Sequence, residues 1–192
     1  MNQLKSVCVY CGSNTGRAPD YARKAAELGH FLADHGIRLV YGGSNCGTMG
    51  ILAESCLKHG GTVLGIITEQ LHRKVGNPAL TEYRIVADMP TRKRMFLEES
   101  DALIALPGGL GTAEELMEAM SWQSLGLNRK PVALLNVNHF FDPLLTWLDR
   151  MLSDGFLRKE QRELLIESAD IEKLFAGLAQ FEYRAVNKWN CK

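Results

Sequence analysis

The sequence predicts an α/β protein built on a largely parallel sheet with helices on both faces. Three observations carry that prediction. Short β-rich apolar runs alternate with helix-patterned stretches from one end of the chain to the other. Glycine-rich turns fall at the ends of several of those runs. And 192 residues with 46% apolar and 23% charged side chains suit one substantial core and no more, so a single domain over 1–192 is expected.

Taken in order, Ser6 to Cys11 (SVCVYC) is a β-rich run closed by Gly12. From Pro19 onward Ala22, Ala25, Ala26, Gly29, Leu32 and Ala33 recur at helical spacing until Gly36 stops the pattern. Ile37 to Tyr41 reads as the second strand, broken by Gly42-Gly43, and a helix follows from about Thr48 to Leu57. Val63 to Ile67, Arg84 to Ala87, Ala102 to Leu106 and Val132 to Leu135 read as further strands, with helices between and after them. Glu69 to Thr81 reads as one long irregular insertion, the kind of loop that often carries function. The whole is a doubly wound, Rossmann-like pattern, in which ligands bind at the carboxyl ends of strands near the point where strand order reverses.

Charge excludes some partners. The 22 basic and 22 acidic residues cancel, so the positive field expected of a nucleic-acid or membrane-surface binder is missing, and a phosphate must be held by a local device. The first residues, MNQLK, do not read as a signal peptide, and no apolar run nears the roughly 18 residues a membrane span needs. Five scattered cysteines suit a reducing compartment, so a cytoplasmic protein is expected.

The most informative motif is Pro107-Gly108-Gly109-Leu110-Gly111-Thr112-Ala113-Glu114-Glu115, directly after a strand and opening a helix. Its glycines let backbone approach a ligand closely, and the N–H groups of a helix start suit an anion. It lacks the lysine of a P-loop, and Glu114 stands where a dinucleotide fingerprint would have its third glycine. A single phosphate is the expected ligand. Glu115 has two readings: partner of Thr112 in a capping box, or a carboxylate facing the site, which the helix start would keep ionised.

Gly42 to Gly50 (GGSNCGTMG) repeats the glycine device after the second strand and reads as the floor of a nucleotide or sugar-phosphate pocket. In Asp88-Met89-Pro90-Thr91-Arg92-Lys93-Arg94, Asp88 is the expected N-cap with proline in the first turn. The three basic residues oppose the helix dipole, and such a broken local rule marks either a solvated turn or function. On that reading, removing Arg92 would leave the fold as stable or slightly more so. Cys8 and Cys11 look like CxxC, but three residues apart on a strand they point to opposite faces and read as core. The five histidines show no metal-ligand spacing, and His72, inside the insertion, is either a surface residue or a substrate contact, the surface reading being preferred.

PGGLGTAEE at Pro107 to Glu115, with MPTRK at Met89 to Lys93, VCVYCGS at Val7 to Ser13 and VYGGSNCGTMG at Val40 to Gly50, resembles the LOG (Lonely Guy) family along nearly the whole chain. The resemblance implies hydrolysis of a nucleoside 5′-monophosphate, AMP or an N6-prenylated (cytokinin) AMP, to free base and ribose 5-phosphate. It implies Arg92 and Glu115 as catalytic residues. Substrate and phosphate contacts would fall on Ser13, Gly42, Gly43, Lys93, Gly108, Gly109, Leu110, Gly111, Thr112, Glu114 and Ser121. It implies no metal or organic cofactor, and a homodimer, for which Trp122 and Leu125 are candidate interface residues. Lys74 aligns where relatives carry a substrate-contacting Glu, which puts the preferred base in question. A label of lysine decarboxylase attaches to such proteins, yet nothing here suggests a pyridoxal-phosphate lysine. The alternatives are a non-catalytic carrier, since molybdenum-cofactor carriers share the superfamily, and a nucleotide-sensing domain.

Overall fold

The computed structural model describes residues 4–75 and 79–185. Residues 76–78 of the expected insertion, the first three residues and Cys191 lie outside the described residues.

The chain runs β1 (Ser6–Tyr10), α1 (Pro19–Asp34), β2 (Arg38–Tyr41), α2 (Gly47–Lys58), β3 (Val63–Thr68), α3 (Glu69–Val75), β4 (Glu82–Val86), α4 (Met89–Glu98) and β5 (Ala102–Ala105). It continues with α5 (Leu110–Ser124), β6 (Val132–Leu135), α6 (Asp142–Ser153), α7 (Lys159–Arg162), β7 (Leu165–Ser168) and α8 (Ile171–Gln180). Among the described residues seven strands form one sheet in the order β4-β3-β2-β1-β5-β6-β7, and each pairing is parallel. The chain starts at the centre, winds outward to β4, then crosses back over β3, β2 and β1 to lay β5 against the far side of β1. Strand order therefore reverses between β1 and β5, and the loops leaving those two strands flank the crevice where such sheets bind ligands.

Alternation along each strand splits the core into two layers. Val7, Val9, Leu39, Tyr41, Val63 and Ile104 pack under α1, α2 and α8 through Leu28, Leu32, Leu52 and Leu174. Cys8, Tyr10, Val40, Leu64, Ile66 and Leu103 pack under α4, α5 and α6 through Phe96, Leu116, Leu145 and Leu148. Each fully buried leucine contributes about 1.5–3 kcal/mol relative to exposure. Cys8 and Cys11 fall in opposite layers, as their spacing requires. No helix among the described residues is long and apolar enough to cross a membrane.

Two elements differ from the sequence reading. The insertion is not irregular throughout: Glu69–Val75 forms α3, a seven-residue helix with no buried residue, so it has no apolar period to announce it. The edge strand β7 was not anticipated. Its Leu-Ile-Glu-Ser buries only Leu165 fully, which leaves neither a continuous apolar run nor strong alternation.

Candidate active site

The site begins where β1 and β5 end. After β1, Gly12 N–H donates to Thr48 Oγ1 at 2.9 Å, and the Thr48 hydroxyl donates back to the Gly12 carbonyl at 3.1 Å. Met49 N–H donates to the same carbonyl at 3.2 Å. This ties the β1 loop to the first turn of α2. After β5, Gly108 presses against that loop: a Cβ there would overlap the Thr112 side chain and stand 3.1 Å from Gly12 N. Glycine is required here for close approach. Between the two loops lies a cavity of about 250 Å³, lined by residues including Ser13, Asn14, Thr15, Gly108, Gly109 and Phe140.

The N-cap of α5 is Gly109, and no side chain caps the helix. Of the two readings of Glu115, the Thr112–Glu115 capping box is therefore not formed. The helix begins at Leu110, two residues before Thr112, and Thr112 is buried against Gly108 instead. With no cap, the first-turn N–H groups of α5 are left for water or a ligand.

Glu115 turns the other way, towards α4. Asp88 caps that helix by accepting from Thr91 N–H at 2.8 Å, with Pro90 in the first turn, as the sequence indicated. The basic run does not stay together in solvent. Arg94 is exposed, but Arg92 is buried. Its Nε donates to the Ile66 carbonyl at 2.9 Å, Nη2 to the Gly42 carbonyl at 3.2 Å, and Nη1 to Glu115 Oε1 at 3.3 Å. Those carbonyls belong to β3 and to the turn after β2, so Arg92 joins three segments and offsets its unfavourable dipole position with charge-assisted bonds. Lys93 reaches the neighbouring face of α5 and binds Glu114 Oε1 at 2.6 Å and Glu118 Oε1 at 2.9 Å.

Burial pushes the Glu115 carboxyl up to about 7, against the opposing pull of Arg92. On the site-facing reading, the sequence set Glu115 at a helix start that favours the ionised form. With the side chain only 12% exposed, desolvation outweighs both the dipole and the cation. Cys8 and Tyr10 lie behind Glu115; burial and then that carboxylate suppress the acidity of Cys8, and burial, then Cys8, then the carboxylate suppress that of Tyr10.

The structure thus brings Arg92, Glu115, Lys93 and Glu114 to one pair of facing helices, and Ser13, Gly108 and Gly109 to the cavity between the loops after β1 and β5. Gly42 belongs with the first set, since a Cβ there would lie 2.6 Å from Arg92 Nη2. Gly43 has φ +73°, a left-handed conformation that favours glycine. A Cβ on Gly111 would meet open space, and the Leu110 side chain is 90% exposed. Ser121 is exposed and stands seven residues beyond Glu114, roughly 10 Å along the helix axis. Trp122 is half-buried on the same helix, and Leu125, its C-cap, is exposed. Lys74 is exposed on α3, and His72 packs on Tyr83, its Nδ1 at 3.3 Å from the hydroxyl. The sequence reading missed Gly12, Thr48, Phe96 and Glu118. Gly12 and Thr48 lay inside the glycine-bearing runs VCVYCGS and VYGGSNCGTMG without being singled out, Glu118 stands at i+4 from Glu114 on the face that meets Lys93, and Phe96 had no signal.

The family described as "Possible lysine decarboxylase" matches residues 49–178. The chain is 43% identical over 176 residues to the cytokinin riboside 5′-monophosphate phosphoribohydrolase of Rhodococcoides fascians, covering 91% of this chain and 89% of that one. It is 40% identical over 183 residues to the cytokinin riboside 5′-monophosphate phosphoribohydrolase LOG7 of Arabidopsis thaliana, covering 94% and 84%. Among solved structures, the molybdenum cofactor binding protein of Rippkaea orientalis superposes with a TM-score of 0.67 at 25% identity, covering 91% of this chain and 97% of that one. The molybdenum cofactor carrier protein of Chlamydomonas reinhardtii does so with a TM-score of 0.65 at 24% identity, covering 91% and 96%, a likeness of fold. The family match, the identity over nine-tenths of the chain and the doubly wound sheet agree: this chain belongs to the LOG family.

Proposed function

We propose that this chain is a phosphoribohydrolase, cleaving the N-glycosidic bond of a nucleoside 5′-monophosphate to free base and ribose 5-phosphate. The carrying observation is the Glu115 carboxylate, buried against Arg92 beside an uncapped helix start and its glycine turn. The names of the relatives at 40% and 43% identity support the same reaction. AMP and N6-prenylated AMP are the proposed substrates.

In this reading the 5′-phosphate rests on the Gly108 to Thr112 turn and beside Ser13, and its binding energy positions the sugar. As the C1′–N bond lengthens, positive charge grows on C1′. Glu115 stabilises that charge and takes a proton from the attacking water. The water oxygen bonds to C1′, the electron pair of the broken bond stays on the base nitrogen, and that nitrogen gains a proton. The net change is water added across the bond. A carboxyl poised near 7 suits a proton accepted and returned at neutral pH. Arg92, permanently charged, positions substrate and does not donate its proton. Of its five N–H groups, one on Nη2 has no acceptor among the described residues and is available to the ligand. Lys93, Glu114 and Ser121 line the approach along α5. The chain acts as a homodimer, with Trp122 and Leu125 on the joining surface, in the reducing cytoplasm that its free described cysteines suit.

Incubation with AMP tests the proposal: free adenine and ribose 5-phosphate are expected in equal amounts. Tight nucleotide or molybdenum-cofactor binding with no adenine released would instead make it a carrier, a reading favoured only by the structural likeness.

A further inference from the structure

Arg92 and Phe96 stand four residues apart on α4, so their side chains leave the same face of the helix. The Arg92 Cζ lies 4.8 Å from the centroid of the Phe96 ring, within the range at which a guanidinium is attracted to an aromatic face. Phe96 is 1% exposed, so the contact is made away from water, where this attraction is strongest. Tyr10 of β1 meets the Phe96 ring from the side, with centroids 6.0 Å apart and planes at 64°, an edge-to-face pairing. Tyr10 in turn lies in the layer behind Glu115. A guanidinium hydrogen-bonds within its own plane. The bonds from Arg92 to Ile66, Gly42 and Glu115 hold its edges, and the Phe96 ring within cation–π range of Cζ limits how far the plane can rock away from them.

We propose that Phe96, backed by Tyr10, is a positioning residue: the two rings form an aromatic bracket that sets the plane of the Arg92 guanidinium and keeps Nη1 on Glu115. The proposal rests on the hydrolase reading above. Phe96 touches no substrate and acts only through Arg92. A leucine would fill most of the same space but present no π face, and the guanidinium would spend part of its time turned from the carboxylate.

The test is Phe96→Leu, read by steady-state kinetics on AMP across pH. The charged and titratable groups around Glu115 are Arg92 and Lys93 from α4, Glu114 and Glu118 from α5, Cys8 and Tyr10 from β1, and Cys11 just after β1. Of these, Arg92 is the charged group whose seat the substitution removes; Tyr10 loses its ring partner but is kept uncharged by burial. With the cation less well seated, burial holds the Glu115 proton to higher pH, so the limb of the kcat profile that reports its ionisation moves upward. At neutral pH kcat falls about tenfold while KM changes less than about twofold. Phe96→Tyr, which keeps the ring face, returns the limb to its original position. An unmoved limb in Phe96→Leu, with only the melting temperature lowered, overturns the proposal and leaves Phe96 a packing residue. Should Phe96→Leu not fold, Tyr10→Leu carries the test: it removes the edge ring, a smaller shift in the same direction is expected, and no shift overturns the bracket. Glu115→Gln is assayed alongside. If it keeps full turnover, the reading of the site fails. If it is inactive while the Phe96→Leu limb stays in place, the bracket alone fails.

Discussion

Arg92 Nη1 and Glu115 Oε1 lie 3.3 Å apart, joining two helices whose paired residues are twenty-three positions apart in the chain. The pair is nearly closed to water, with side chains 9% and 12% exposed. Neither residue is in its ordinary electrostatic setting: the arginine stands at the wrong end of a helix dipole, and the carboxyl holds its proton up to about pH 7. Each makes the other tolerable, and that dependence sets what substitutions should do.

Glu115→Gln should lower kcat on AMP by at least about a hundredfold, as expected for loss of a general base. Its effect on stability depends on pH. The native state holds the Glu115 proton to about 7, whereas the ordinary value is 4.5. Native Glu115 thus binds a proton that the unfolded chain releases, so its contribution is fully present below pH 4.5 and is lost as pH rises through 7. The substituted glutamine binds no such proton. Denaturant titrations at pH 5 and pH 8 should therefore show the variant gaining on the parent protein as pH rises, by up to about 3 kcal/mol. A constant difference across that window would contradict the raised carboxyl.

Arg92→Ala should destabilise the fold, the reverse of what the helix dipole alone suggests. Removing a cation from a helix start gains about 0.3–1 kcal/mol. Against this, the carbonyls of Ile66 and Gly42 lose their charged donor and Glu115 loses its counter-ion. Leaving such buried groups unpaired costs about 3–5 kcal/mol, less whatever protonation of Glu115 recovers. A melting temperature equal to or above the parent's would show that these bonds contribute little.

Gly108→Ala and Gly111→Ala should part company. At Gly108 the added methyl meets the Thr112 side chain and Gly12 N, so the two strand-end loops must separate, costing about 1–3 kcal/mol. KM for AMP should rise with it. At Gly111 the methyl meets open space within α5, and alanine should stabilise the helix by up to about 1 kcal/mol. Equal melting temperatures for the two variants would mean that the close approach at Gly108 carries no weight.

Adenosine should be a far poorer substrate than AMP. Without the phosphate the uncapped N–H groups of α5 stay on water, and the energy that positions the sugar is missing. Comparing kcat/KM for the two decides the point, and similar values would remove phosphate from the glycine turn.

Much of this was legible in the residues, and the failures have physical causes. Val7, Cys8, Val9 and Tyr10 announced β1 because a central strand buries both faces. Asp88 announced α4 because capping is a local matter of one side chain and one N–H. Glu115 was left open because a capping box and a site carboxylate share one spacing, and only the partner helix tells them apart. The raised acidity constant of Glu115 was out of reach, since it depends on burial by groups distant in sequence. The Phe96 ring under Arg92 was equally out of reach, because an aromatic at i+4 is far more often plain core.

The helix that returns the chain from β4 over three strands to β5 carries Arg92 near its start, and that arginine grips both β3 and the turn after β2. On the proposed reading Arg92 is thus mooring and tool together, while Glu115 is chiefly tool. The two cannot be forfeited with equal ease. A descendant that abandoned catalysis for mere ligand holding would shed the glutamate readily and keep the arginine, so the state of position 115, and not that of position 92, is where lapsed relatives of this chain should reveal themselves.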